Sequence, residues 1–565
     1  MEVLKTMSKN IHPDNLFSLN NRVDAKDGKL VLANMIWVIF ALFIGGTAGM
    51  LQTLVRSGMV ELPFGIGYYQ LLTLHGVILA LVLTFFFIMG FQIASLSRSA
   101  GAFNDRERKL GWIGFWMMSA GTLVAAAMIA TNEASVLYTF YAPLQAHALY
   151  YIALAVIIVG TWFSVAGQLM RYFRWRKEFK GHKTPLLSFM ASVNNVMWLV
   201  CTIGVSMSVI FQYIPWSLGI VETINVSLSR TLFWMFGHAL VYFWLLPAYM
   251  AWYVVVPKVL GTKGFSDNLA RMSFVLFLFF SIPVGIHHQL TEPGIDAFWK
   301  GLQVVLTFAV IVPSLMTAFS LFAVFETHGR KLGATGILDW FKKLPWTDAR
   351  FVLPFLGMLF FIPGGIGGII NASGQMNQLV HNTIWVVGHF HITVGAPVIL
   401  TYFGIMMFLL PHITGRKITK QLNNMGLYLG YTWTFGMGLM SAAMHFAGLR
   451  GAPRRSTFSE YGGAGIAEEW ITYQILQAVG GIFLFVAIVI AVILFIQLMT
   501  GPKTEEVEEF PVASMMDQSV PTTKWVENWR VLIIITVFLL LIAYTVPITQ
   551  MFTENIPGAK GFKLW

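Results

Sequence analysis

Thirteen long apolar stretches, separated by short polar connections, leave this 565-residue chain few folds to adopt. Each can form a helix that spans a bilayer, which takes roughly 20 apolar residues. In hydrocarbon every backbone polar group must be paired within the protein, so stretches of this kind become helices. The expected spans are 31–54, 67–97, 111–131, 146–170, 186–213, 230–257, 271–291, 300–325, 350–371, 383–411, 424–447, 470–499 and 531–552. Composition agrees, with 56% hydrophobic and 11% charged residues, where a soluble domain carries about 25% charged. The fold class is an all-α polytopic membrane protein, a bundle of about 13 transmembrane helices.

The chain is basic, with 37 Lys and Arg against 26 Asp and Glu. That balance could suit nucleic acid, but its distribution points to a lipid bilayer. With the N-terminus cytoplasmic and the C-terminus outside, 29 of the 37 basic residues fall in cytoplasmic segments and 8 in outer ones. This alternation is the positive-inside pattern of a multi-pass protein. Residues 1–30 read as a cytoplasmic arm with no cleavable signal, 31–552 as the helical domain and 553–565 as an outer tail. The single cysteine, Cys201, excludes an internal disulfide and any thiolate-rich metal site built from this chain alone.

Six of the 13 histidines lie inside or at the edge of apolar spans: His75, His238, His287, His288, His389 and His391. Titratable groups at membrane depth are costly and mark cofactors, proton relays or transport paths. Threading the spans puts all six within roughly 5–14 Å of the outer boundary, at 1.5 Å per residue. A lone histidine of this kind is more often a packing residue; six in one layer on four helices point to metal and haem ligation. His389 and His391 stand about 200° apart around a helix and face opposite sides. One helix could therefore ligate two haems. His75 could complete the coordination of one, leaving the other open to a gas ligand. His238, His287 and His288 could hold a copper ion with one position free.

Tyr242 follows His238 by four residues and shares its helix face, where it could supply a proton and an electron. Tyr249 and Tyr253 continue that face inward. Ser314 and Thr317 in the eighth span, with Ser266 in the preceding cytoplasmic loop, could complete a hydroxyl path. The outer loop at 448–469 carries Arg454 and Arg455 above the histidine layer, where guanidinium groups suit carboxylates.

Taken in order, YYQLLTLHGV, NEASVLYTFYAPL, RTLFWMFGHALVYFWLLPAY, SIPVGIHHQLTEPGID, VPSLMTAF, FIPGGIGGIINAS, VHNTIWVVGHFHI and the outer-loop PRR resemble subunit I of a B-type haem–copper terminal oxidase over essentially the whole chain. The resemblance implies a respiratory enzyme that reduces dioxygen to water and translocates protons. It implies His75 and His391 as axial ligands of a low-spin haem b, and His389 as the proximal ligand of a high-spin haem of a or o type. It also implies one copper on His238, His287 and His288, with Tyr242 cross-linked to His238 and supplying the last electron and a proton. Arg454 and Arg455, with His381 and Asn382, would hold propionates. Ser266, Tyr253, Tyr249, Thr317, Ser314 and Tyr242 would form the proton path. The implied partner is a subunit II carrying a dinuclear copper centre and accepting electrons from cytochrome c. A quinol donor would need no such centre.

Two positions depart from relatives. The A-type glutamate two residues after the first copper histidine is Leu240 here, so one proton path must serve both chemistry and pumping. The aspartate that B-type relatives commonly place four residues before the histidine matching His381 is Asn377. The nearest rival is a nitric oxide reductase, which would place glutamates beside a non-haem iron; spans 6 and 7 carry no acidic residue before Glu292. A secondary transporter would show internal pseudo-symmetry, and a cytochrome b would leave three histidines without a role.

Overall fold

Fold and site are described from a computed structural model, covering residues 22–565 except 64, 459–462, 555 and 564. Most of the expected N-terminal arm, including His12, lies outside the described residues. The long helices are α1 (Ala25–Arg56), α2 (Tyr68–Ala100), α3 (Asp105–Ala130), α4 (Ala148–Glu178), α5 (Leu186–Ser217), α6 (Val226–Val259), α7 (Asp267–Phe280), α8 (Ala297–Lys331), α9 (Ala349–Ala372), α10 (Ile384–Thr414), α11 (Lys420–Leu449), α12 (Gly465–Thr500) and α13 (Trp529–Thr553). Eleven of these are long and apolar enough to cross a membrane. The protein is a mostly helical, multi-pass membrane protein. α11 falls short in apolarity because its stretch TWTFGMG dilutes the aliphatic residues.

α7 falls short in length. The expected span 271–291 is helical only to Phe280, and a short 3-10 turn, Gly285–Gln289, follows a four-residue break. Pro283 explains the break: it has no N–H to continue the ladder and disfavours helical backbone at Ile282. Three further interruptions are π-helical turns, Val77–Leu83 in α2, Val209–Tyr213 in α5 and His391–Gly395 in α10, a distortion often found at functional sites. Those in α10 and α2 begin at or two residues after a candidate haem ligand, respectively His391 and His75.

α6 is buried almost all round, as a central helix apolar on every side should be. α3 and α4 pack closely on one flank. A Cβ on Gly114 would stand 2.5 Å from the Gly160 carbonyl oxygen, and one on Gly160 would stand 2.9 Å from the Gly114 carbonyl oxygen. Small residues let membrane helices approach at backbone distance. Gly160→Leu should therefore force the pair apart and cost about 3 kcal/mol. Its thermal midpoint in detergent should fall well below that of Gly301→Ala, where a Cβ meets nothing within 4 Å. Equal midpoints would refute the close contact. On the outer face as threaded above, the tail segment β2 (Ala559–Lys560) pairs antiparallel with β1 (Thr223–Ile224), the strand leading into α6.

Candidate redox and metal site

All six span histidines line one internal cavity of about 600 Å³, together with Tyr242, Arg454 and Arg455. On one side, the rings of His75 (α2) and His391 (α10) are nearly parallel, 6° apart in plane, with centroids 6.2 Å apart. That separation has room for a metal ion bonded at about 2 Å to each imidazole. His75 Nδ1 lies 2.9 Å from the Gly45 carbonyl oxygen and His391 Nδ1 lies 2.8 Å from that of Val387. A carbonyl only accepts, so each Nδ1 carries the proton and each Nε2 is left for a metal.

His389 leaves the other side of α10, towards Gly367 on α9. Its Nδ1 is 3.1 Å from the Thr393 hydroxyl, which donates to the His389 carbonyl at 2.6 Å. Nδ1 must then be the donor to Thr393, and Nε2 is again the free nitrogen.

His238, His287 and His288 bring one nitrogen each within 4.8 Å of one another. His238 Nδ1 and His288 Nε2 are 3.0 Å apart, and the rings of His238 and His287 are 4.3 Å apart between centroids. His287 donates from Nδ1 to the Thr307 hydroxyl at 2.8 Å, and Trp234 stacks on His288 at 3.7 Å. Three imidazoles with no carboxylate among them suit copper. His238 uses Nδ1 towards the cluster, and its Nε2 is buried without a partner. The Tyr242 ring lies one turn on, 5.0 Å from the His238 ring.

Arg454 and Arg455 are half-buried and form no ion pair among the described residues. Burial and the adjacent Arg455 charge push the Arg454 guanidinium down to about 10. Arg454 donates to the Asn382 side-chain oxygen at 2.7 Å, and its amide donates to the Asn382 carbonyl at 3.0 Å. Asn382 and Arg455 both hold positive φ, 61° and 62°, a strain that persists where surrounding contacts impose it. His381 is pushed down to about 4 by burial and by Arg454 and Arg230. Its Nδ1 lies 3.1 Å from the Asn377 side-chain oxygen, while the Asn377 amide donates to the Asn371 carbonyl at 2.7 Å.

Below the cavity, the Tyr253 hydroxyl donates to Thr317 at 2.9 Å and lies 3.1 Å from Ser273, a neighbour the sequence did not single out. Tyr249 meets Ser314. Ser266 caps α7 and donates to Asp517 at 2.7 Å, so the structure joins it to a carboxylate rather than to Tyr253. No spacing signal could pair Ser266 with a residue 251 positions away. Partial burial would raise the Asp517 carboxyl, but bonds from Ser266 and the Asp267 and Asn268 amides outweigh it and hold it below the ordinary carboxylate range. A carboxylate depressed on folding stabilises above its unfolded pKa, and that contribution is lost as pH falls through the folded value. Amide exchange at Asp267 and Asn268, corrected for intrinsic rate, should therefore accelerate on acidification in the wild type. In Asp517→Ala it should be fast throughout, and an unchanged acid dependence there would refute the link.

The family model described as "Cytochrome C and Quinol oxidase polypeptide I" matches residues 29–483. The chain belongs to that family. Cytochrome c oxidase subunit 1 of Thermus thermophilus is 38% identical over 556 residues, 95% of this chain and 97% of its own length. The probable quinol oxidase subunit 1 of Staphylococcus epidermidis is 24% identical over 450 residues, 75% of this chain and 63% of that protein. A solved cryo-EM structure of a haem–copper terminal oxidase dimer superimposes with a TM-score of 0.90 at 34% identity, covering 95% of each chain. The protein is thus subunit I of a haem–copper oxidase, an oxidoreductase acting on oxygen.

Proposed function

We propose that this chain is the catalytic subunit of a B-type terminal oxidase that reduces dioxygen to water and couples this to proton translocation. The observation that carries it is one cavity holding a parallel histidine pair, a third histidine behind them and a three-histidine cluster beside Tyr242. His75 and His391 hold a low-spin haem b, His389 a high-spin haem of a or o type, and His238, His287 and His288 one copper. Bound there, the two haems and copper supply the electron transfer and oxygen coordination that the side chains cannot. Arg454 and Arg455, with His381 and Asn382, hold carboxylates at the outer edge. Tyr242 holds and delivers a proton beside the copper histidines. Tyr253, Thr317, Tyr249 and Ser314 pass protons towards it, with Ser266 at the cytoplasmic mouth and water completing the steps between hydroxyls.

In this reading the thirteen helices all span, with the N-terminal arm inside, residues 31–552 as the oxidase domain and the tail outside. The assembly sits in a prokaryotic plasma membrane with a subunit II that carries a dinuclear copper centre and accepts electrons from cytochrome c. Nitric oxide reduction is the alternative. No carboxylate among the described residues joins the metal cluster, which disfavours it, and Glu292 is turned to Arg230 at 3.2 Å. Reduced and reduced-plus-CO visible spectra, with haem extraction and metal analysis, test both. Two haems and one copper, with CO on one haem, support the oxidase. Non-haem iron in place of copper supports the reductase, and no haem in folded protein defeats both.

A further inference from the structure

His287 and His288 sit past the end of the α-helical hydrogen bonding of α7, in a short 3-10 turn. Consecutive residues on a helix point about 100° apart, yet both must reach one ion. The break after Phe280 and the turn Gly285–Gln289 bring their ring centroids to 4.3 Å. Backbone groups freed inside a membrane bundle need other partners.

Two helices supply them. The Gly285 amide donates to the Tyr544 hydroxyl of α13 at 2.9 Å, and that hydroxyl donates onward to the Ile282 carbonyl at 3.1 Å. The Ile286 amide donates to the Gln303 side-chain oxygen of α8 at 2.7 Å, and the Gln303 amide donates to the Ala543 carbonyl of α13 at 2.9 Å. Tyr544 and Gln303 are 2% and 0% exposed. One turn on, Thr307 donates to the Gln303 carbonyl at 2.6 Å while accepting from His287. Any side chain at Gly285 would collide with the Trp234 carbonyl and the Tyr544 hydroxyl, so the turn is clamped between α6 and α13. Yet α13 lies beyond residue 483, where the family match ends.

We propose that α13 is a positioning element for the copper ligands. Tyr544, with Gln303 as a relay, fixes the backbone from Ile282 to Ile286 and so aims His287 and His288. This rests on the reading of those histidines as copper ligands.

Tyr544→Phe and Gln303→Met in the full chain test it, with Phe538→Ala, at a position 59% exposed on α13, as control. Both variants should keep wild-type haem content and lose copper affinity about 10–100-fold against a chelator. The infrared band of CO transferred by light onto the copper should shift or broaden, and amide exchange at Gly285 and Ile286 should accelerate. Phe538→Ala should match the wild type in all three. Variants with unchanged copper affinity, CO band and exchange would overturn the proposal. If wild-type protein holds no copper, the copper reading itself fails. Exchange at Gly285 and Ile286 then decides the brace alone, and equal rates in variant and wild type overturn it.

Discussion

Replacing Tyr242 by phenylalanine is expected to lower dioxygen turnover by about 10²–10⁴-fold, the range for removing a positioned general acid. The ring stays, so packing against His238 and Phe277 is preserved; only the hydroxyl goes. Nothing nearby can replace it. α6 carries no Asp or Glu from Val226 to Val259, and the position that holds a glutamate in A-type relatives is Leu240. Of the histidines around Tyr242, His287 is committed through Nδ1 to Thr307, and His238 and His288 each turn one nitrogen into the cluster. The hydroxyls of Tyr249 and Ser314 would then deliver protons to a site with no group to hold them. Haem content, copper content and the reduced-plus-CO spectrum should match the wild type, which separates a lost proton from a lost metal. Turnover within a few-fold of wild type, with metals intact, would remove Tyr242 from the chemistry.

The histidine layer was legible because two regular periods wrote it. Threading the apolar spans put His75, His238 and His389 at one level, which fits their shared cavity, and the helical period put His389 and His391 on opposite sides, as they lie towards α9 and α2. Where the backbone leaves the regular helix, the period loses its meaning. The expected span 271–291 runs through Pro283, but prolines also sit inside the unbroken helices α6 and α9 (Pro247, Pro354), so Pro283 alone did not mark the end of α7 at Phe280 or the turn beneath His287. The π-helical turn at His391–Gly395 is equally silent in composition. Partners far along the chain were beyond reach for another reason. Asp517 meets Ser266, and Tyr544 meets Gly285, only after the bundle has closed. Thr307 was closer in sequence, but a threonine in an apolar span is ordinarily a helix-packing residue that bonds its own carbonyl ladder. Here it also accepts from the His287 imidazole.

His287→Asn should have the other large effect. The cluster offers one nitrogen from each of three histidines and no carboxylate or thiolate to compensate for a loss. An asparagine is too short to carry a nitrogen to the same place, and its amide is a poor ligand for copper. Copper should be absent from the purified variant while both haems remain, since His75, His391 and His389 stand on other helices. A catalytic metal supplies several kcal/mol, and about 1.4 kcal/mol is tenfold in rate, so turnover should fall by about 10³-fold or more. Thr307→Val gives the graded counterpart. It keeps all three imidazoles but removes the hydroxyl that takes the proton of His287 Nδ1, leaving the ring free to turn or change tautomer. Copper should then bind about 10–100-fold more weakly, and added copper should restore turnover in Thr307→Val but not in His287→Asn. That difference identifies His287 as a ligand and Thr307 as the group that orients it. If His287→Asn purifies with full copper, the ion sits elsewhere and the three-histidine assignment is wrong.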